Sequence, residues 1–83
     1  MKRIKGEKCK LSDLKVGQNA KIIEINIEDF ELKRHLLEMG LTQNTLVNIK
    51  KVAPFGEPIV IEVRGYELFL EKYHLKSILV EVM

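Results

Sequence analysis

LLEMGLTQNTLVNIKKVAPFGEPIVIEVRGYELFL, residues 36–70, is the stretch that decides the fold. Its first residues end a helix: Gly40 follows apolar positions at helical spacing. It is suited to the left-handed residue after a helix, with Leu41 folding back onto Leu36 in a Schellman arrangement. Thr45 to Val52 then alternates, with Leu46 or Val47, Ile49 and Val52 interleaved with Asn48, Lys50 and Lys51, as in a strand with one wet face. Ala53 to Pro58 carries two prolines and a glycine. Proline lacks a ladder donor and fixes φ, so this segment reads as a loop of set shape. Ile59–Val63 and Glu67–Leu70 read as two strands joined by a tight turn centred on Arg64-Gly65-Tyr66.

Working outward, the spacing predicts a helix from Glu28 or Asp29 to Met39. Leu32, Leu36 and Met39 recur at i, i+4 and i+7, Phe30 and Leu37 flank the same side, and Glu31, Lys33, Arg34, His35 and Glu38 face solvent. Asn26 is the expected N-cap, and Glu28 and Asp29 place negative charge in the first turn, where the helix dipole favours it. Before it, the isoleucines of Ala20–Asn26 favour a strand, although their alternation is imperfect. Ser12-Asp13 marks a short turn between Leu11 and Leu14. After the hairpin, Glu71–Ser77 reads as a helical turn and Ile78–Val82 as a last strand. The expected fold class is mainly β with short helices: a small SH3-like barrel of about five strands, with one short α-helix after the first strand.

The chain has 83 residues, room for one domain. We divide it into a basic N-terminal leader, residues 1–10, and a barrel domain, residues 11–83. Hydrophobic residues make up 46% and charged residues 31%, the balance of a globule rather than a disordered chain. Apolar runs fall far short of the ~20 residues needed to cross a bilayer, so no membrane insertion is expected. Of the net +2, the leader carries +4 through Lys2, Arg3, Lys5, Lys8 and Lys10 against Glu7, which leaves the remainder at −2. Phosphate binding needs cations gathered on one folded face, so no nucleic-acid partner is expected. A basic end is ordinarily solvated, and it would also be drawn to an anionic membrane surface. The single cysteine, Cys9, cannot form an internal disulfide, which fits a cytoplasmic location.

No residues are spaced for bond-breaking chemistry, and no catalytic residue is assigned. Cys9, His35, His74, Glu38 and Glu71 are the available metal ligands. None of their spacings builds a site, so neither a metal nor a cofactor is expected. Arg34 and Arg64 are the side chains an arginine-finger role would require, but a helix-surface or turn arginine is ordinarily solvated. Binding is the stronger reading. Pro54, Phe55, Gly56, Glu57 and Pro58 form a rigid loop that projects an aromatic ring and loses little entropy on docking. Met39, Gly40 and Leu41 are expected to border it, with Arg64 and Tyr66 completing the candidate partner-binding surface. Phe30, Phe55, Phe69, Tyr66 and Tyr73, with no tryptophan, supply a proline-peptide groove poorly. Lys50-Lys51 with Arg64-Gly65-Tyr66 is a thin version of a stacking RNA surface.

The ordered segments LSDLKVGQNAKI (11–22), RHLLEMGLTQNTLVNI (34–49) and APFGEPIVIEVRGYELFL (53–70), followed by a closing hydrophobic strand, resemble the FeoA family of small ferrous iron transport accessory proteins. The resemblance covers residue 11 to the C-terminus. It implies an SH3-like barrel and a non-enzymatic accessory role in iron(II) uptake. The implied partner is a FeoB-type membrane GTPase transporter, met at the cytoplasmic face of the membrane. Weak self-association through a barrel edge stays open, and the alternative function is a generic SH3-like protein- or nucleic-acid-binding module. The chain departs from the family pattern at Asn44, where glycine is usual, at Phe55 and Glu57, where leucine and aspartate are common, and at Glu71, where a basic residue is frequent. Asn44 tolerates positive φ as glycine does.

Overall fold

Short β-branched segments separated by turn residues fold here into one antiparallel sheet. The computed structural model describes residues 4–83, so Lys2 and Arg3 of the basic leader lie outside the described residues. In chain order the elements are β1 (Lys8–Lys10), a 3-10 turn (Leu11–Asp13), β2 (Asn19–Ile25), α1 (Phe30–Glu38), β3 (Leu46–Val52), β4 (Ile59–Val63), β5 (Tyr66–Leu70), α2 (Lys72–Leu75) and β6 (Ile78–Val82). Their order in the sheet is β1-β6-β2-β3-β4-β5, every pair antiparallel. Among the described residues six strands replace the five expected. The additional one, β1, falls inside the segment read as a leader. Cys9 faces the core between exposed Lys8 and Lys10, opposite Val80, and a three-residue alternation between lysines is too short to register as a strand pattern. The pairing begins before β1: Gly6 N–H donates to Val82 O at 2.7 Å, and Val82 N–H donates to Glu7 O at 2.8 Å.

Two β-bulges bend the sheet toward a barrel. In β2 the register against β6 shifts between Ile22 and Glu24. That slip explains the imperfect isoleucine alternation, because it lets both Ile22 and Ile25 point inward although they differ in parity. In β3 the shift lies between Ile49 and Lys51. Val47 and Ile49 fill the interior, while Leu46 and Val52 stay exposed. The core gathers Leu11, Ala20, Ile22, Leu36, Leu41, Ile61, Leu75, Ile78 and Val80, none more than 1% exposed. Leu32 and Met39 pack against its edge.

The helix ends follow local rules, with one correction. Asp29, not Asn26, caps α1, its Oδ1 accepting the Leu32 N–H at 3.1 Å. The Asn26 N–H donates to Ser77 O at 2.7 Å, which carries the β2–β6 pairing one residue past Ile25, and the helix begins only at Phe30. At the other end Gly40 N–H donates to Leu37 O and Leu41 N–H to Leu36 O, which is the Schellman pattern, with Gly40 at φ 92°. A second correction concerns the helix faces. Phe30 and Leu37 lie on the side away from Leu32, Leu36 and Met39, and both are exposed.

Removing residues 1–10 therefore takes a strand from the sheet rather than a tail from its surface. Loss of the buried Cys9 and of the β6 pairing is expected to lower unfolding stability by at least about 2 kcal/mol in a urea titration. An unchanged midpoint would show that β1 adds nothing to the domain.

Candidate functional site

The surface expected to gather ten residues is divided by the β3–β4–β5 meander into two clusters. Arg64 and Gly65 form a two-residue turn with φ 49° and 85°, the mirror-image type I′ geometry that suits the strand twist. Tyr66 pairs with Val63 and so belongs to β5. The 53–58 loop lies at the opposite end of β4. Five residues at about 3.3 Å each put the two ends roughly 15 Å apart along the strand. Met39, Gly40 and Leu41 therefore do not border Phe55. Gly40 meets Arg64 and Tyr66 instead.

In that first cluster Arg64 acts as a clamp. Its Nε donates to Gly40 O at 3.0 Å and its Nη2 to Thr45 Oγ1 at 3.2 Å, so the β4–β5 turn is tied to the carbonyl end of α1. Thr45 Oγ1 also lies 3.0 Å from Thr42 Oγ1. A Cβ on Gly40 would stand 2.6 Å from Arg64 Cδ, 2.7 Å from Nε and 3.4 Å from Tyr66 Oη. Glycine is therefore required twice here, by φ and by close approach. Leu41 is fully buried and Met39 is partly so. Leu41 therefore presents no free face to a partner. Asn44, at φ 72°, takes the left-handed conformation that glycine would, and its N–H donates to Ile22 O at 2.7 Å.

The second cluster is open. Gly56 N–H donates to Ala53 O at 2.8 Å, closing a turn around Pro54 and Phe55, and Ala53 N–H donates to Pro58 O at 3.2 Å. The Glu57–Pro58 peptide is cis. Glu57 Oε1 accepts the Lys72 N–H at 3.0 Å, so the loop is fastened to the start of α2. Held this way, the Phe55 ring is 99% exposed. Beside it lies a cleft of about 140 Å³, walled by Leu11 and Leu14 at the 3-10 turn, Val52 and Gly56 at the loop, and Lys72 and Leu75 from α2. The cleft was not foreseen, because its walls come from three stretches far apart in sequence. Only Gly56 was in the expected set.

The other candidate groups are dispersed. Lys50 bridges Glu67 and, at 3.8 Å, Glu62, which also accepts from Asn48 Nδ2 at 3.2 Å. The hydrogen bond that Lys50 donates to Glu67, then the Glu67 charge, raises the Lys50 pKa above the ordinary lysine value. A raised lysine stabilises the fold at neutral pH, and that contribution is lost as pH climbs through the raised value. His74 sits edge-on to Tyr73, with ring centroids 4.9 Å apart, and its Nδ1 is buried with no hydrogen-bond partner among the described residues. Among the described residues no three His, Cys, Asp or Glu side chains are grouped to hold a metal. No helix there is long and apolar enough to cross a membrane.

The sequence model of the FeoA domain matches residues 9–82. The chain belongs to the FeoA family. The backbone agrees: the FeoA protein of Chlorobium tepidum superposes with a TM-score of 0.84 at 28% identity, over 89% of this chain and 70% of that one. A FeoA-like protein of Clostridium acetobutylicum gives 0.79 at 35% identity, over 93% and 88%. The zinc-complexed FeoA of Stenotrophomonas maltophilia, a procaryotic SH3 domain protein, gives 0.72 at 23% identity over 87% and 88%, a likeness of fold. The FeoA match begins at Cys9, inside β1, so the family's domain includes the strand hidden in the basic leader. The family is that of the ferrous iron transport system, and the fold is the SH3-like barrel expected from the sequence.

The clamp and the loop respond differently to mutation. Gly40→Ala is expected to cost about 1–2 kcal/mol, the sum of positive-φ strain and the Arg64 clash. In an Arg64→Ala background only the strain should remain, so thermal melts of the double-mutant cycle would show a coupling of at least about 0.5 kcal/mol. Simple additivity would refute the close approach. Phe55→Ala should leave the thermal midpoint within about 2 °C, whereas Glu57→Ala, which removes the Lys72 acceptor, should lower it by several degrees.

Proposed function

We propose that this protein is a non-enzymatic adaptor of ferrous iron uptake that docks on a FeoB-type transporter at the cytoplasmic face of the membrane. Its docking surface is the Phe55 loop with the adjoining cleft. The observation that carries this reading is the posture of Phe55: a fully exposed aromatic ring on a loop that the Ala53–Pro58 and Glu57–Lys72 hydrogen bonds already hold. A ring so placed brings apolar area to an interface at little ordering cost, and the cleft beside it can take an apolar side chain from the partner. Membership of the FeoA family supplies the transport system.

Nucleic-acid binding is the weaker alternative. Two of the three cations it would use are engaged within the chain, Lys50 by Glu67 and Glu62 and Arg64 by Gly40 and Thr45, which leaves Lys51 alone on that surface. The acids on the same sheet face would also repel phosphate.

Titration of the full chain against FeoB in nanodiscs, with and without GTP, and against the isolated soluble GTP-binding domain tests the proposal. Phe55→Ala should weaken binding to the full transporter about tenfold. No binding in any nucleotide state would remove the adaptor function, and binding unaffected by Phe55→Ala would move the contact elsewhere.

A further inference from the structure

The outward face of α1 is built against the ordinary logic of a surface helix. Leu36 is buried and Leu32 and Met39 pack on the core. Phe30, Arg34 and Leu37, at i, i+4 and i+7, form a ridge on the opposite side. Phe30 is 72% exposed and Leu37 42%. Together with Lys33 and Arg34 they line a shallow depression of about 240 Å³. A solubilising face would carry charges where Phe30 and Leu37 stand. Aromatic, leucine and arginine anchors at this spacing are how a helix is read when it lies in a groove of another protein, and Arg and aromatic residues are enriched among side chains that dominate binding energy.

Charge and symmetry select the occupant. In a two-fold pairing of two α1 helices, Arg34 at the centre of the ridge would meet Arg34 of the second copy, a like-charge contact at the middle of the interface. An anionic lipid surface is disfavoured by the acids around the ridge: Glu28, Asp29, Glu31 and Glu38 outnumber Lys33 and Arg34, so the segment as a whole is repelled. A protein groove with an apolar floor and a carboxylate facing the middle of the ridge satisfies all three anchors. We infer that α1 is a second docking element, presenting Phe30 and Leu37 to an apolar groove of the transporter, with Arg34 paired to an acidic side chain on the groove's rim. This second contact rests on the adaptor function proposed above and is separate from the Phe55 loop.

The test is a titration of the full chain and its Phe30→Ser, Leu37→Ser and Arg34→Glu variants against nanodisc-embedded FeoB, with empty nanodiscs of the same anionic lipid alongside. Because the three side chains are exposed, thermal midpoints should stay within about 2 °C of the parent. Each apolar variant should weaken binding about tenfold. Arg34→Glu should do the same and flatten the salt dependence of the parent's affinity. If the parent binds and the three variants bind equally well, α1 is not a contact while the adaptor function stands. If the parent fails to bind, both fall together. Binding to empty nanodiscs that Phe30→Ser abolishes would assign the ridge to lipid. A dimer in sedimentation that Phe30→Ser dissociates would assign it to a second copy. Either result overturns the inference.

Discussion

Arg64 lying across Gly40 is the constraint on which the arrangement of this domain depends. The type I′ turn forces Arg64 into left-handed backbone, at a cost of order 1 kcal/mol for a residue with a Cβ. Its side chain reaches the carbonyl end of α1, where Gly40 O and Thr45 Oγ1 accept from it. A cation at that end is also favoured by the helix dipole. Gly40, in turn, can have no side chain, because the guanidinium stem occupies the space a Cβ would need. One pair, 24 residues apart, thus satisfies a hairpin, a helix cap and the join between them. With that join fixed, Leu36 and Leu41 are both delivered into the core and β3 starts in register.

The same meander sets where the chain can meet other molecules. Since β4 separates its two connections, the clamp end is consumed by intramolecular bonding and the loop end is left to project. The 3-10 turn and α2 pack side by side near that loop and wall the cleft. Glu57 fastens the loop to α2 through the Lys72 amide, so its shape depends on tertiary structure as well as on its prolines.

What the sequence could and could not reveal follows from the range of each interaction. Local rules were legible: the Schellman stop at Gly40, β4 and β6 to the residue, the 53–58 loop and the helical turn before the last strand. The SH3-like barrel followed from their order. Errors arose where a distant partner decided the outcome. Asn26 reads as a cap until its bond to Ser77 O extends the β2–β6 pairing and the helix starts later, at Phe30. Cys9 reads as part of a leader until Val80 is set opposite it. The bulge at Ile23 converts a faulty alternation into two inward isoleucines. For the candidate surface, residue types were legible and their grouping was not, because Met39 to Leu41 and Phe55 come together or apart only through the extended length of β4. Arg64, which local sequence reads as solvated, is engaged because Gly40 offers a carbonyl that sequence proximity does not reveal.

Exposed apolar residues do not all carry the same meaning in so small a domain. Phe69 is exposed on β5, yet it stands opposite Val60 in the β4–β5 register, and Val60 is buried although it lies outside the main core cluster. Cross-strand shielding of this kind gives Phe69 a reason within the fold. Phe55 has no such neighbour to cover, and Phe30 and Leu37 turn away from everything that α1 packs against. An 83-residue chain has little spare apolar area to leave outside its core. It places three of its large apolar side chains in water on backbone that is already hydrogen-bonded, in a clasped loop and a capped helix. Rigid supports lose little entropy when a partner closes over them. A partner spanning both would gain affinity from their fixed separation as well as from each contact.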